Sequence, residues 1–334
     1  MEPSLAKTLC AHFALGQPRT IVTAGGTRNA NYVLTTDRGR WFVRRRHPAY
    51  CEPERIWHDH AAASYLADRR VPVLPPRQSC EGATWSELDG AVWEVFPCVE
   101  GRHLRDGEAA DVAALGAALA QWHQAGREFP LHYEKAAPRG EMDPNRLRER
   151  AKTLVAESPD TAEALRGYCA VLEWAAGDLP DSRYAALPHT LIHGDIQPAN
   201  LVMQEGRIRA FVDLDWCGWQ ARLYDLCFAI LICCASHADP FDGGDIRSLT
   251  QTPYLEADVV SAFLRAYTAE AGLLTAAECA ALLPQLVLTW CHARIDGAFK
   301  VPAAERAAFL SRPPDMAALE WLVLPPLDSL WERS

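Results

Sequence analysis

The residues of this chain whose types and spacing could do chemistry crowd into Leu191 to Asp225, LIHGDIQPANLVMQEGRIRAFVDLDWCGWQARLYD. An apolar pair, Leu191-Ile192, runs into His193-Gly194-Asp195, and Asn200 follows Asp195 by five positions. Leu201–Met203 and Ile208–Val212 read as two short strands joined by a turn at Glu205-Gly206. The second strand ends on Asp213-Leu214-Asp215, so one hairpin presents an Asp and an Asn at one end and two more Asp at the other. Oxygen ligands at this density suit a hard cation such as Mg²⁺, which takes carboxylates, amides and substrate phosphates.

Phosphoryl transfer is the chemistry that needs this set. One Asp accepts or orients the proton of an attacking hydroxyl, while an Asn and a second Asp hold metal against the β- and γ-phosphates of a nucleotide. Asp195 is then the base, and Asn200 and Asp213 are the metal ligands. Asp215 fits three roles equally: support of the metal ligands, substrate contact, or solvated carboxylate.

The pattern His-Gly-Asp-x-x-x-x-Asn, followed by a strand ending in Asp, resembles the aminoglycoside phosphotransferase and choline kinase superfamily. Tyr224-Asp225-Leu226 resembles the family's Tyr-Asp-Leu at the start of the next helix. The resemblance implies an α+β, protein-kinase-like bilobal fold with a small antiparallel-sheet N-terminal lobe and a mainly helical C-terminal lobe. It also implies ATP or GTP as donor, Mg²⁺, and His193 and Asp225 as supports of the catalytic loop.

The elements that must position these residues start at the N-terminus. Residues 3–15 have Leu5, Leu9 and Phe13 at helical spacing. Residues 20–24, 30–36 and 41–45 read as strands. Between the first two lies Gly25-Gly26-Thr27-Arg28-Asn29, where backbone N–H groups can approach phosphate oxygens without a Cβ in the way. On its own this is a hairpin turn; in the position where the family covers the nucleotide it becomes a phosphate loop. The third strand, Trp41-Phe42-Val43-Arg44-Arg45-Arg46, lacks the Lys that kinases of this fold place there. Alternation makes Arg44 or Arg46 the inward candidate, and Arg44 is taken as the phosphate-binding residue, since guanidinium binds phosphate bidentately. Three solvated arginines on an edge strand is the competing reading.

Residues 54–69 read as a helix without a mid-helix Glu to steady that arginine; Asp59 is the acid there, flanked by His58 and His60. Strands are expected near residues 77–80, 84–87 and 91–96. Phe96-Pro97-Cys98-Val99-Glu100-Gly101 is the expected hinge, with Phe96 and Cys98 at the nucleotide base. The lobes are therefore residues 1–96 and 102–334, joined by 97–101.

Beyond residue 102 the composition turns helical. Helices are expected at 109–126, 144–157, 160–177, 226–235, 255–271, 275–297, 301–311 and 315–323. Trp122-His123 resembles a family Leu-His pair, and His123 reads as a structural hydrogen-bonding residue. The stretch containing Asp239, Asp242 and Asp245 is a solvated turn with side-chain caps, or an acceptor wall offering carboxylates to a cationic substrate. Asp296, near the end of a C-terminal helix, is a further acceptor-site candidate.

The chain has 334 residues, 49% of them hydrophobic, and 11 Trp, enough for a sizeable core. Its longest apolar run, Leu226 to Ala235, is too short to span a bilayer, and no secretory signal is visible. The 11 Cys form no C-x-x-C pair and no zinc-spaced cluster, which fits a reducing cytoplasm. A net charge of −10 argues against a nucleic-acid surface. The expected activity is γ-phosphate transfer to a hydroxyl of a small molecule. Acceptor classes are a cationic antibiotic of aminoglycoside type, a metabolite (choline, homoserine or a sugar), or a Ser/Thr protein substrate. The rival from another class is a nucleotide-binding pseudokinase scaffold, favoured by the missing strand Lys and opposed by the intact Asp/Asn/Asp set.

Overall fold

The computed structural model describes residues 1–25, 28–130, 133, 139–237, 239, 245–251 and 253–311. Gly26, Thr27, Asp242 and the helix expected at 315–323 lie outside the described residues.

The chain opens with helix α1 (Pro3–His12), then strands β1 (Pro18–Ala24), β2 (Ala30–Thr36) and β3 (Gly39–Arg45). Helix α2 (Pro53–Asp68), β4 (Ser86–Leu88) and β5 (Ala91–Pro97) follow. The five strands form one antiparallel sheet in the order β1-β2-β3-β5-β4. Period-two alternation splits its faces. Val43, Trp93 and Val95, with Leu34, pack under Leu9 of α1 and Phe13 just after it as a small separate core. Arg44, Arg46 and Glu94 therefore occupy the opposite face, and all three are buried. No strand forms at 77–80. Pro75-Pro76 removes two backbone donors, and the segment makes a single bond to the sheet, from Arg77 N to Val95 O at 2.6 Å.

The rest is mainly helical. Short strand β6 (Arg102–His103) leads to α3 (Ala109–Gly126), α4 (Pro144–Glu157), α5 (Ala162–Asp178) and α6 (Asp181–Ala185). Then come β7 (His189–Ile192), β8 (Leu201–Gln204), β9 (Arg207–Phe211), β10 (Gly218–Ala221) and α7 (Leu223–Ile232). A two-residue pair, β11 (Ala235–Ser236) with β12 (Tyr254–Leu255), precedes α8 (Ala257–Ala271), α9 (Ala276–Ala298) and the single turn α10 (Arg306–Phe309). The helix expected at 301–311 is thus reduced to a 3₁₀ turn at Ala303–Glu305 and α10.

One large core unites these elements, with α7 buried along its entire length. Ala62 and Leu66 of α2, with Val71 and Val73 after it, belong to this second core, not to the sheet's. The backbone fastens them there: Phe211 N donates to Pro72 O at 2.7 Å. Helix α2 therefore stays with the elements that carry the hairpin.

Candidate active site

Residues 189–221 form two paired ribbons. β7 pairs antiparallel with β10, and β8 with β9, so the loops after β7 and after β9 emerge side by side. Asp195 lies on the first loop and Asp213 on the second. Several bonds fix the loops to each other and to the core. His193 Nε2 lies 3.0 Å from Val212 O, next to Asp213. The fully buried Asp225 carboxylate on α7 accepts from the backbone N–H groups of His193 (2.7 Å) and Gly194 (2.9 Å). His123 Nε2 stands 3.1 Å from the same carboxylate, and its Nδ1 lies 2.9 Å from the Tyr267 hydroxyl. One acid thus replaces the peptide partners that an irregular loop lacks.

Gly194 has a double constraint. Its φ is +81°, and a Cβ there would sit 2.3 Å from the Trp216 carbonyl oxygen. Gly194→Ala is expected to destabilise the fold by about 2–4 kcal/mol and to displace Asp195. A thermal melt alongside the turnover rate checks both effects.

Asp195 is half-buried, and its Oδ2 accepts from Asn200 Nδ2 (2.8 Å) and Gln197 Nε2 (2.9 Å). Asn200 Nδ2 also donates to the Asp195 carbonyl at 2.9 Å. Both amide protons of Asn200 are thereby committed, and its Oδ1 is the atom left for a cation. Burial pushes the Asp195 carboxyl up from the ordinary carboxylate range, against the pull of His193, Gln197 and Asn200.

Asp213 occupies the left-handed region, at φ 65° and ψ 71°, a strained setting for a non-glycine residue. Its carboxyl is pushed up to about 7 by desolvation against the cleft wall and by the adjacent Asp215 carboxylate, despite Arg44 Nη1 at 3.2 Å. Surplus negative charge at oxygen ligands is the environment a divalent cation neutralises. The donor set of Asn200 and Asp213 fits Mg²⁺ on that ground.

Asp215 is not a solvated carboxylate. It is buried and stands 3.1 Å from Arg44 Nη1 and 3.0 Å from Arg46 Nη2. It also accepts from Asn29 Nδ2 at 2.9 Å, and Asn29 Oδ1 accepts from His47 N at 2.9 Å. The last residue of the glycine-rich loop is thus tied to the loop that carries Asp213. Gly25 has open space where a Cβ would be, and Arg28 sits over the Tyr50 ring.

The three-arginine strand divides by alternation. Arg45 is exposed, whereas Arg44 and Arg46 are buried, which excludes three solvated arginines on an edge. Asp59 on α2 pairs with Arg46. Arg44 takes its partner from β5: Glu94 stands directly across the ladder and accepts from Arg44 Nε at 2.6 Å. Glu94 also meets Arg46 Nη1 and His60 Nε2, both at 2.8 Å. Although burial raises its pKa, Arg44, His60 and Arg46 hold this carboxyl well below the usual range. Sequence reasoning missed Glu94. Its signal was one acid in the apolar run Ala91–Phe96.

Phe96 and Cys98 are half-buried where β5 leaves the sheet, and the Arg44 guanidinium lies 5.4 Å over the Phe96 ring. Gly101 in the following connection packs so closely on β8 that a Cβ would approach Met203 O to 2.5 Å.

The acceptor-side acids are largely spoken for. Asp296 is bound by Arg146 (2.8 Å), Arg150 (2.7 Å) and His292 (3.0 Å). Asp245 caps the 3₁₀ turn that follows it, accepting from Arg247 N at 3.0 Å. Asp239 is exposed, its backbone bonded to Gln251. Glu141, which sequence reasoning did not single out, pairs with Arg146, and it and Asp195 both lie close enough to Tyr224 to raise its hydroxyl pKa, after burial. Glu141, His292 and Asp296 bring ligand atoms within 4.8 Å of one another, but the two arginines already neutralise them. None of the 11 cysteines is in a disulfide.

With this geometry in place, the comparison with known proteins is direct. Residues 20–272 match the phosphotransferase enzyme family, and the chain belongs to that family. A homoserine kinase from Bradyrhizobium sp. (strain BTAi1 / ATCC BAA-1182) is 26% identical over 213 residues, covering 63% of this chain and 62% of that protein. The chain thus matches just under two thirds of this curated relative's length. Among solved structures, an amicoumacin kinase in complex with AMP-PNP, Ca²⁺ and its ligand superposes with a TM-score of 0.66 at 18% identity, covering 95% of this chain and 97% of the other. A microcompartment-associated aminopropanol kinase gives 0.68 at 18% identity, covering 96% and 97%. The fold is the α+β, protein-kinase-like fold of small-molecule kinases. Among the described residues, no helix is long and apolar enough to cross a membrane.

Proposed function

We propose that the protein transfers the γ-phosphate of ATP, with Mg²⁺, to the hydroxyl of a small amino alcohol of the homoserine type. The observation that carries phosphoryl transfer is the Asp195–Asn200 pair beside Asp213, on two loops joined by the His193–Val212 contact, the first of them bound to the buried Asp225 carboxylate. In this reading Asp195 orients the acceptor hydroxyl and takes its proton. Asn200 Oδ1 and Asp213 hold the metal, which supplies charge neutralisation at the phosphates. Arg44 and the Gly25–Asn29 loop steady the phosphates, and residues 97–101 form the hinge carrying the base contacts at Phe96 and Cys98. His193, Asp225 and Asp215 hold the loops in register, so catalysis is mostly positioning and electrostatics.

Two observations support a small amino alcohol. A homoserine kinase is 26% identical to this chain over 213 residues. Glu141 and Asp296 are paired with Arg146 and Arg150, which leaves this cluster without net charge, as suits an acceptor of low net charge. A polycationic antibiotic would need free carboxylates, and Asp296 and Asp245 are already engaged. The test is ADP or GDP release with Mg²⁺ and either nucleotide against homoserine, other amino alcohols, choline, sugars, aminoglycosides and a generic basic protein. Turnover confined to amino alcohols is the expected result. Turnover only with an aminoglycoside or with protein would overturn the acceptor assignment and leave the transfer chemistry standing.

A further inference from the structure

We infer that Glu94, in the middle of β5, is the residue that positions Arg44 for the nucleotide phosphates, and that Asp59 on helix α2 does not share this task. The inference rests on the phosphotransferase reading and adds to it a residue whose role nothing in the loop motifs indicates.

Arg44 of β3 and Arg46, which follows the strand, lie on the same face and have different surroundings. Arg46 is 1% exposed; its Nη1 goes to Glu94 and its Nη2 to Asp59 and Asp215. Its Nε has no hydrogen-bond partner among the described residues but is sealed by the surrounding side chains, so burial and not saturation keeps Arg46 from a ligand. Arg44 uses Nε on Glu94 and Nη1 on Asp213 and Asp215. Among the described residues its Nη2 has no hydrogen-bond partner. The Nε bond orients the planar guanidinium, because a fork held at its base by a carboxylate can turn only about that contact.

Glu94 is suited to the task for a reason of register. It stands directly opposite Arg44 on the neighbouring strand, so the contact depends on a ladder and not on the placement of a helix. Asp59 rides on α2, whose apolar face belongs to the larger core, and reaches only the more deeply buried of the two arginines. His60, from the same helix, completes the Glu94 carboxylate and ties the strand to α2 without touching Arg44. Helix placement and phosphate binding are thereby assigned to different acids.

The test compares affinities for ATP and for adenosine in wild type, Glu94→Gln, Glu94→Asp and Asp59→Asn, by titration calorimetry in the presence of Mg²⁺ and without acceptor. Loss of one charge-assisted bond to the phosphate-binding group predicts that Glu94→Gln weakens ATP about tenfold while adenosine binding is unchanged. Glu94→Asp, which keeps the charge at a shorter reach, should lose less ATP affinity and leave adenosine alone; it also carries the test if Glu94→Gln does not fold. Asp59→Asn should leave the ATP-to-adenosine ratio as in wild type. In an Arg44→Ala background, Glu94→Gln should change the ratio no further. Parallel losses for ATP and adenosine, an unchanged ratio in the folded Glu94 variants, or an equal shift in Asp59→Asn would each overturn the inference. Failure of wild type to bind ATP at all would instead remove the phosphotransferase reading on which it rests.

Discussion

Asp195→Ala is expected to lower kcat by about a thousandfold while ATP affinity is retained, because in the proposed mechanism the carboxylate meets the acceptor hydroxyl and not the nucleotide. The residue is half-buried, and its loop is held from behind by Asp225, so the backbone does not depend on its side chain. Removing it frees the amides of Gln197 and Asn200, and the space left by the carboxylate can admit water to them. Asp195→Asn refines the test: it keeps the shape and removes the base, and the same loss of rate assigns the effect to the carboxylate. Stopped turnover with an unchanged melting temperature is the expected pair of results.

Asp213 gives the second large effect, with an opposite sign in stability. Asp213→Asn is expected to lose about a thousandfold or more in turnover, as the proposed metal ligand turns from carboxylate to neutral amide. It should be no less stable than wild type. Asn tolerates the left-handed backbone at φ 65° at least as well as Asp, and the exchange removes the repulsion from Asp215. Arg44 keeps Glu94 and Asp215 as partners. An inactive protein with an equal or higher melting temperature would show that this position is strained for function. The Mg²⁺ dependence of ATP binding should fall in the same variant.

How far the sequence discloses the molecule differs by region, and the reason is range. The Asp195, Asn200 and Asp213 set flanks one hairpin closely in sequence, so its geometry follows from strand and turn patterns of a few residues. β1 to β3 were legible for the same reason, being short alternating runs divided by glycine. Glu94 was not: it meets Arg44 from 50 positions away, and only a strand order that puts β5 beside β3 makes the pair visible. Asp215 reads on the page as one of several acids, and becomes a tie between two loops only when the arginines arrive from β3. β10 went unread because Gly218-Trp219-Gln220-Ala221 has no alternation; its strand character comes from pairing with β7. The start of α7 was placed three residues late, since the polar Asp225 that supports the catalytic loop interrupts the apolar run. The acceptor side was least legible. Its charges form pairs such as Arg146 with Asp296, 150 positions apart, and local composition shows acids without showing that they are already neutralised.

The measurement that tests the central claim most directly follows a labelled γ-phosphate from ATP, with Mg²⁺, onto candidate acceptors in wild type and Asp195→Ala. The account predicts label on the hydroxyl of one small amino alcohol in wild type, and none above background in Asp195→Ala at equal nucleotide affinity. Undiminished transfer in the variant would contradict the role of Asp195. Tight binding of ATP by wild type with no transfer to any acceptor of the panel would contradict the amino-alcohol kinase reading and favour a nucleotide-binding scaffold.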